Sequence, residues 1–276
     1  MKKLLLSAVA LGLLFTACKD DETNPTPEQT SMKLWATSIS ATDKISIQYN
    51  ADRQISLYQL EMLDENSSLF IKPIYENNRI TSLLAGSTAN AITNKAMTYK
   101  YNDAGKVLSV DFYDDSDGSL NQFDSVAYNA AGRVAAVYYA EKTSAEKHLG
   151  FYRKTVFEWD AKGNVTRQHK ISIVDGKEST DTTTTVYTYD DKVNHIAKQA
   201  DFYLFDVEEV ASELSANNIV KEETVSGDYR YLDTATYTYD ADNYPVTRNS
   251  TYKIFGPDGK ETYSRTESTT LTYIRK

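Results

Sequence analysis

The side chains that most often carry enzyme chemistry are few and scattered in this chain of 276 residues. The three histidines, His148, His169 and His195, lie far apart in the sequence, and no second cysteine could join them in a zinc site. No glycine-rich phosphate loop, Gly-x-Ser-x-Gly or His-Glu-x-x-His segment occurs. We therefore predict no catalytic residue, no metal site and no cofactor. Each histidine is expected to be an exposed strand or turn residue.

Acidic side chains are abundant, and two groups of them could do chemistry. The segment that starts at Tyr113 partly follows a calcium-binding loop, although tyrosine cannot serve as its first ligand; an ordinary hairpin turn is the alternative. The matching loop positions are Asp115, Asp117, Gly118 and Asp124. Glu208 and Glu209 are predicted to lie on a solvated helix face. A glycosidase-like pair that converges from distant strands stays open.

Cys18 is the only cysteine, and its surroundings predict a covalent modification. Lys2 and Lys3 precede an apolar run, residues 4–15, which is shorter than the roughly 20 residues that a spanning helix needs. This pattern is typical of an export signal over residues 1–17. Because small residues lead directly into Cys18, we predict that this thiol is lipidated, as in bacterial lipoproteins. An ordinary secretory signal is the alternative.

Residues 18–31 are polar, contain two prolines and show no apolar period, so they are expected to form a lipidated flexible tether. The acidic run at 19–22 resembles the signal that sends lipoproteins of the Bacteroides group to the outer face of the outer membrane. We therefore expect an outer-membrane protein at the cell surface that contacts the membrane through its lipid anchor only.

Charge and cysteine content restrict the remaining chain, residues 32–276, which we predict to be a single domain. Together with the tether, residues 18–276 have 28 basic and 39 acidic side chains, a net charge of −11. Such a chain is repelled by phosphate backbones, so no nucleic-acid partner is expected. With one cysteine it can form no internal disulfide, and its fold depends on its core.

A short motif recurs along residues 32–276: an aromatic or apolar residue, any residue, a second aromatic residue, and then a turn. Examples are YKYNDAGKV from Tyr99, FEWDAKGNV from Phe157 and YTYDADNYP from Tyr237. The second aromatic positions are Tyr49, Tyr75, Tyr101, Tyr128, Trp159, Tyr189 and Tyr239. Their spacing of 26 to 31 residues becomes 50 before the last, which suggests one missing period.

Each copy has the composition of a β-hairpin. Glycine or asparagine at the end of the turn supplies a left-handed backbone, whereas Arg53 takes that place in the first copy. The left-handed positions are predicted at Gly105, Gly132, Gly163, Asn194 and Asn243. Return turns with Asp-Gly lie at 114–119, 174–177 and 256–260. The two aromatics of a copy are two residues apart, so they share one strand face and should form an aromatic ladder.

These hairpins predict an all-β fold, an antiparallel up-and-down meander of roughly 14 strands that curls into a barrel-like sheet. The long spacing contains residues 206–222, where Asp206 could cap one short inserted helix that covers a sheet edge or a barrel mouth. Asn217 and Asn218 would stop this helix.

The repeats resemble the tyrosine-aspartate repeats of bacterial shell-forming toxin proteins, although seven copies are too few for a closed shell. They are more similar to a family of lipoproteins of the Bacteroides group, which shares segments like YTYDADNYP over 90–276. This resemblance implies a porin-like fold and an envelope location, but no activity. His195 stands where that family would have proline.

From these features we expect a surface lipoprotein whose water-soluble domain binds a glycan or an envelope protein. A structural component of an outer-membrane complex is the alternative, and a glycan-degrading enzyme is the third. The chain has 21 tyrosines and 2 tryptophans, more aromatic rings than the repeats require, and spare rings could stack on sugars.

Overall fold

Sixteen antiparallel strands form one closed barrel in the computed structural model, which describes residues 32–142, 149–199 and 201–276. The strands of the first half are β1 (Lys33–Ile39), β2 (Asp43–Tyr49), β3 (Ile55–Met62), β4 (Ser67–Glu76), β5 (Arg79–Gly86), β6 (Asn94–Tyr101), β7 (Val107–Tyr113) and β8 (Leu120–Tyr128). Those of the second half are β9 (Val134–Lys142), β10 (Leu149–Trp159), β11 (Val165–Val174), β12 (Lys177–Val193), β13 (Asn217–Ser226), β14 (Tyr229–Tyr239), β15 (Pro245–Phe255) and β16 (Glu261–Arg275).

Every strand pairs with its sequence neighbours, and β1 pairs with β16 to close the barrel. The main chains of Met32 and Lys276 also exchange two hydrogen bonds, of 2.9 and 3.1 Å. The all-β meander is thus confirmed, with two strands more than the roughly 14 predicted. The two additional strands form an eighth aromatic unit, which is split between the two ends of the domain. Its second aromatic residue is Tyr273 in β16, and its returning strand is β1.

The spacing of 50 residues before Tyr239 does not mark a missing period. β12 and β13 pair like every other hairpin, but a long segment replaces the turn between them. We call residues 194–199 and 201–216 the plug. Asn194 does not adopt the predicted left-handed backbone, since its side-chain amide donates to the carbonyls of Ser212 and Ser215 at 2.6 and 2.8 Å.

The plug lies inside the barrel instead of covering an edge or a mouth. It contacts strands on opposite sides of the closed sheet. Only a segment in the interior of the barrel can reach all of these strands. The contacts are Tyr49 with Gln199, Tyr75 with Asp201, Tyr99 with Leu204, and Arg153 with Glu208. Its helix α1 (Val210–Leu214) has only five residues, and a 3₁₀ turn spans Phe202–Leu204.

The predicted short helix is present, but it begins at Val210, later than a cap at Asp206 implies. Asp206 does accept from the backbone N–H of Glu208 at 2.9 Å, as a capping residue would. As predicted, the helix ends before Asn217 and Asn218: its last residue is Leu214, and the two asparagines belong to β13. Strand pairing with β12 outcompetes further helical turns at this point.

The inner face of the barrel and the plug together form the apolar core. The first residue of each aromatic motif points inward, as Tyr99, Phe157 and Tyr187 do. Plug residues Val207 and Val210 pack against them and are almost fully buried. Because strand side chains alternate, the remaining side chains of each strand lie on the outer face of the barrel. Within the described residues, no helix is long and apolar enough to cross a bilayer.

Candidate functional site

The turns that follow the second aromatics gather at one end of the barrel, which we call the aromatic end. Met32 and Lys276 also lie there, since Lys33 contacts Asp240 and the Lys276 ammonium donates to the Tyr49 carbonyl at 2.8 Å. The Asp-Gly turns lie at the opposite end, the return end, as predicted. The chain therefore enters and leaves the domain at the aromatic end.

The second aromatics form a hydrogen-bonded ladder around this end. The hydroxyl of Tyr101 donates to the carbonyl of Ile80, at the start of the second strand of the preceding hairpin, at 2.6 Å. Equivalent bonds run from Tyr128 to Val107 at 2.8 Å, from Trp159 to Val134 at 2.7 Å, from Tyr189 to Val165 at 2.7 Å and from Tyr273 to Pro245 at 2.7 Å. The predicted ladder thus has its polar atoms bonded to neighbouring hairpins.

A β-bulge in each of these hairpins makes the bonding possible. After the second aromatic, the returning strand contains one extra residue, so Tyr101 faces Val107 while Lys100 faces Ser109. The same shift occurs beside Tyr49, Tyr75, Tyr128, Trp159 and Tyr239. A bulge bends the strand and increases its twist. It also turns the first residue of the returning strand, such as Val107 or Val165, into the core.

Three cationic side chains cover the ladder on successive hairpins. The Arg79 guanidinium carbon lies 5.6 Å from the ring centroid of Tyr101, the Lys106 ammonium 5.0 Å from that of Tyr128, and the Arg133 carbon 5.5 Å from that of Trp159. Such distances allow a cation–π attraction. We call Arg79, Lys106 and Arg133 the cationic row.

The turn glycines make room for this row. A Cβ atom on Gly105 would lie 2.6 Å from the Arg79 guanidinium, and one on Gly132 would overlap the Lys106 ammonium. Both glycines also have positive φ, of 77° and 74°. Glycine suits both turns, because a residue with a side chain is strained at this positive φ and because the absent Cβ leaves room for the preceding cation.

The cationic row, its rings and the plug enclose the mouth cavity, of about 610 Å³. Tyr101, Tyr128 and Trp159 form its wall. Its floor is made by the plug residues Asp201, Tyr203, Leu204 and Leu214. This volume lies in the usual range for small-ligand sites, about 300–1,000 Å³. Aromatic walls with a few polar groups are typical of such sites.

A second space lies inside the barrel, between the plug and β13–β16. It consists of two adjoining cavities of about 340 and 150 Å³ that share Ser212, Ile219 and Glu222. We call it the inner chamber. Burial raises the pKa of Glu222 to about 7, since the charged carboxylate is poorly solvated there and Glu209 lies nearby.

Several carboxyl groups on the inner side share this behaviour. Asp124 is fully buried, and the loss of hydration raises its pKa to about 7, although Gln122 donates to it at 3.1 Å. Burial likewise raises the pKa of Glu209 and places that of Glu213 well above its ordinary value. At neutral pH part of this acidic interior is therefore uncharged.

The structure separates the residues that the sequence singled out. His169 lies on the outer face, between Thr184 and Glu158, both at 3.1 Å. His195 is buried instead of exposed, at 8%, with its ring against Trp35 and Tyr273. His148 and Cys18 lie outside the described residues. Within the described part of the chain, no group of three or more potential ligands is arranged to hold a metal ion.

The acidic candidate residues also lie in positions other than those predicted. Tyr113 to Asp124 forms the β7–β8 hairpin, and Asp124 points into the barrel, away from the turn. The Glu208–Glu209 pair is not on a solvated helix face: Glu208 pairs with Arg153, and Glu209 lines the inner chamber. Both the inward position of Asp124 and the positions of Glu208 and Glu209 result from contacts between the plug and the strands around it. The local sequence pattern could not show these contacts.

Sequence reasoning missed the cationic row. Its signal was a basic residue immediately before a buried apolar residue in three successive copies, as Arg79-Ile80, Lys106-Val107 and Arg133-Val134. Only the three-dimensional repeat shows that each of these side chains reaches the next hairpin.

No protein-family model and no curated protein matches this sequence. A solved structure of a porin-like protein from Bacteroides uniformis aligns with a TM-score of 0.55 and 14% identity, over 90% of this chain and 99% of that one. A porin-like protein from Bacteroides vulgatus aligns with a TM-score of 0.40 and 11% identity, over 88% of this chain and 99% of that one. The first match supports the porin-like fold that the resemblance implied, and at this identity it shows the fold alone.

Proposed function

We propose that the protein is a lipid-anchored glycan-binding protein of the outer-membrane surface, with the mouth cavity as its binding site. The observation that carries this proposal is the composition of that cavity. Three aromatic rings and three cationic side chains from successive hairpins surround one open space. Rings pack against the C–H faces of sugars, while charged donors bond sugar hydroxyl or acidic groups.

The ladder gives this site a rigid frame. Each ring has its polar atom bonded to the neighbouring hairpin, so its orientation is held before a ligand arrives. Binding then costs little side-chain entropy. The closed sheet and the buried plug support the rings from below, where Tyr203 is almost fully buried.

The two tryptophans make the site testable. Trp159 lines the mouth cavity, whereas Trp35 lines the inner chamber and packs against His195 and Phe202. In Trp35→Phe the fluorescence reports on Trp159 alone, and in Trp159→Phe it reports on Trp35 alone. We would screen the chain from residue 19 on a broad glycan array and titrate each hit onto both variants.

A glycan that binds at the mouth should shift the emission of Trp35→Phe and leave that of Trp159→Phe unchanged. A hit that changes only the second variant would move the site to the inner chamber and contradict the mouth assignment. An array without any reproducible signal would contradict glycan binding and favour the structural alternative, a component of an outer-membrane complex.

The lipid anchor is tested separately. Cys18→Ala should abolish labelling by a radioactive fatty acid and release the protein from membranes, because no other thiol is available for the thioether. Protease digestion of intact cells should degrade the wild-type protein if it faces outward. Continued labelling of the variant would contradict lipidation at Cys18, and protection from protease would contradict the surface location.

A further inference from the structure

The cationic row is an exception in an acidic protein. The place before the first buried residue of a returning strand is uncharged in other copies, with Gln54, Asn164 and Tyr244 in the first, fifth and seventh. In the eighth unit Lys33 precedes the buried Leu34, but it is paired with Asp240 and Asp242. The hairpins of the first, fifth and seventh copies form with the same bulge as those of Lys106 and Arg133. The fold therefore does not require positive charge at this place, and three consecutive copies nevertheless have it.

In the part of the chain that the structure describes, no acidic side chain pairs with these three cations. Lys33 at the same end, by contrast, pairs with Asp240 and Asp242. Asp201 is the one carboxyl group among the lining residues of the mouth cavity, against three cations, and it accepts from Tyr75 at 2.8 Å. The positive potential of the row is thus open to the cavity.

Donors remain available for a ligand. The Lys106 ammonium donates to the Gly132 carbonyl, which uses one of its three N–H groups. The Arg133 guanidinium donates to the Asp160 carbonyl at 2.6 Å and keeps further N–H groups. These contacts fix the position of the cations without using up their hydrogen-bonding capacity.

The row is regular because the repeat is regular. Successive cations belong to successive hairpins, so they are two strands apart, a distance of about 10 Å at the usual strand spacing. Three of them span roughly 20 Å along the rim. A linear polymer with an acidic group on every disaccharide presents negative charges at a comparable interval.

We infer that the ligand of the mouth cavity is a linear acidic polysaccharide, with uronate or sulfate groups, that lies along Arg79, Lys106 and Arg133. This inference rests on the proposed function and adds the chemical class of the glycan. The net charge of −11, which argues against a nucleic-acid partner, also opposes an acidic polysaccharide, but at physiological salt charges farther than about 8 Å are largely screened. The nearest charges, which are the row, then decide the interaction.

The test compares two triple variants of equal charge. One replaces the row, as Arg79→Gln, Lys106→Gln and Arg133→Gln. The control replaces three exposed lysines away from the mouth cavity, as Lys72→Gln, Lys177→Gln and Lys260→Gln. Each triple lowers the net charge by three, so any effect of overall charge is the same in both. Thermal unfolding of both variants confirms that the fold is retained.

The probes are polygalacturonate, heparin, neutral dextran and single-stranded DNA, added to the Trp35→Phe background at two salt concentrations. We expect an acidic polysaccharide to bind and shift the Trp159 emission. The row variant should raise its Kd about tenfold or more, with a weaker salt dependence, and the control less than about twofold.

The outcomes separate the two hypotheses. Binding of dextran at Trp159 without binding of either acidic polysaccharide would overturn this inference and leave the proposed function intact. Equal losses in the two triple variants would also overturn it. DNA that binds as tightly as polygalacturonate, with the same loss in the row variant, would show a general polyanion site and overturn the glycan class. Absence of any polysaccharide binding would contradict both hypotheses.

Discussion

At the scale of single residues, Arg53 shows how far the hairpin chemistry tolerates exceptions. It has a positive φ of 66° in the place that other turns give to glycine or asparagine, yet its turn is closed by a 2.9 Å bond from Asn50 N–H to the Gln54 carbonyl. The side chain of Asn50 also accepts from the N–H groups of Asp52 and Gln54, both at 3.0 Å. The turn therefore forms in spite of the strain at Arg53.

Arg53→Gly should stabilise the domain. The left-handed conformation costs a side-chain-bearing residue about 1–2 kcal/mol, and the greater freedom of glycine in the unfolded chain offsets part of the gain. We expect a net increase of about 0.5–1 kcal/mol in the free energy of unfolding, measured by urea titration. As a control, Gly132→Ala should destabilise, because alanine is strained at the positive φ of 74°. A loss of stability in Arg53→Gly would contradict this account.

Asp124 makes stability depend on pH. Its pKa rises from the ordinary value near 3.9 in the unfolded chain to about 7 in the folded one, so the folded state keeps a proton that the unfolded state releases. Its contribution to stability is complete below about pH 4 and is lost as the pH rises to about 7. The charged groups near it are Arg153, Glu208 and Asp206.

Asp124→Asn, which mimics the protonated acid, should therefore match the wild type near pH 4. At pH 8 it should exceed the wild type by roughly 1–3 kcal/mol. Urea unfolding across this range measures the difference, and the exposed Asp115→Asn serves as control. A constant difference at all pH values would show that the substitution acts through packing alone.

The aromatic pairs, the turn glycines and the return turns could be predicted from sequence because each depends on a few adjacent residues. The burial of Asp124 and His195 could not. Both are polar residues in strand or turn patterns, and only the plug, placed by contacts far along the chain, puts them in the interior.

Among the elements, several hairpins are linked to the preceding one by a single hydrogen bond from the second aromatic, as from Tyr128 to the Val107 carbonyl. Tyr75 donates to Asp201 of the plug instead. Tyr128→Phe keeps the ring but leaves the Val107 carbonyl without its donor. It should cost about 0.5–1.5 kcal/mol of stability. Tyr128→Ala also loses the packed ring and should cost about 3–5 kcal/mol, by analogy with other large-to-small substitutions.

Thermal unfolding of both variants tests this order. Tyr263→Phe is a suitable control because Tyr263 is 48% exposed on β16. Equal stabilities of Tyr128→Phe and the wild type would show that the hydroxyl bond contributes nothing and that packing alone holds the hairpins together.

Two elements could not be predicted from the sequence, and the reasons are physical. The eighth hairpin has no turn, since its strands come from opposite ends of the domain and meet only when the barrel closes. The plug has a weak helical pattern because its apolar residues face barrel strands on several sides instead of one surface. Neither feature leaves a local signature.

For the whole molecule, the composition of the outer face determines whether the barrel is suited to water or to a lipid bilayer. The outward row of β16 consists of hydroxyl side chains, namely Thr262, Ser264, Thr266, Ser268, Thr270 and Thr272. Ion pairs such as Lys44–Glu61 and Lys154–Glu178 lie on the same side of other strands. A lipid-facing surface needs an apolar band, and each Lys or Arg near its centre costs about 2–4 kcal/mol.

We therefore expect residues 32–276 to fold in water without detergent. The circular-dichroism spectrum should show β-structure in buffer alone, with a cooperative thermal transition that added detergent does not sharpen. Folding only in the presence of detergent or lipid would contradict this expectation and the prediction of a water-soluble domain.

Because Met32 and Lys276 are hydrogen-bonded to each other, we expect that the finished barrel does not depend on which hairpin comes first along the chain. A circular permutant could join these residues by a short Gly-Ser linker and open new termini beside Gly118, in an exposed turn with no neighbour near its α-carbon. The split eighth unit would then be an ordinary local hairpin, and β7–β8 would become the pair that closes last. We expect the permutant to fold to the same barrel, with an unfolding midpoint close to that of the parent. Failure to fold would show that strand order along the chain matters as well as strand pairing.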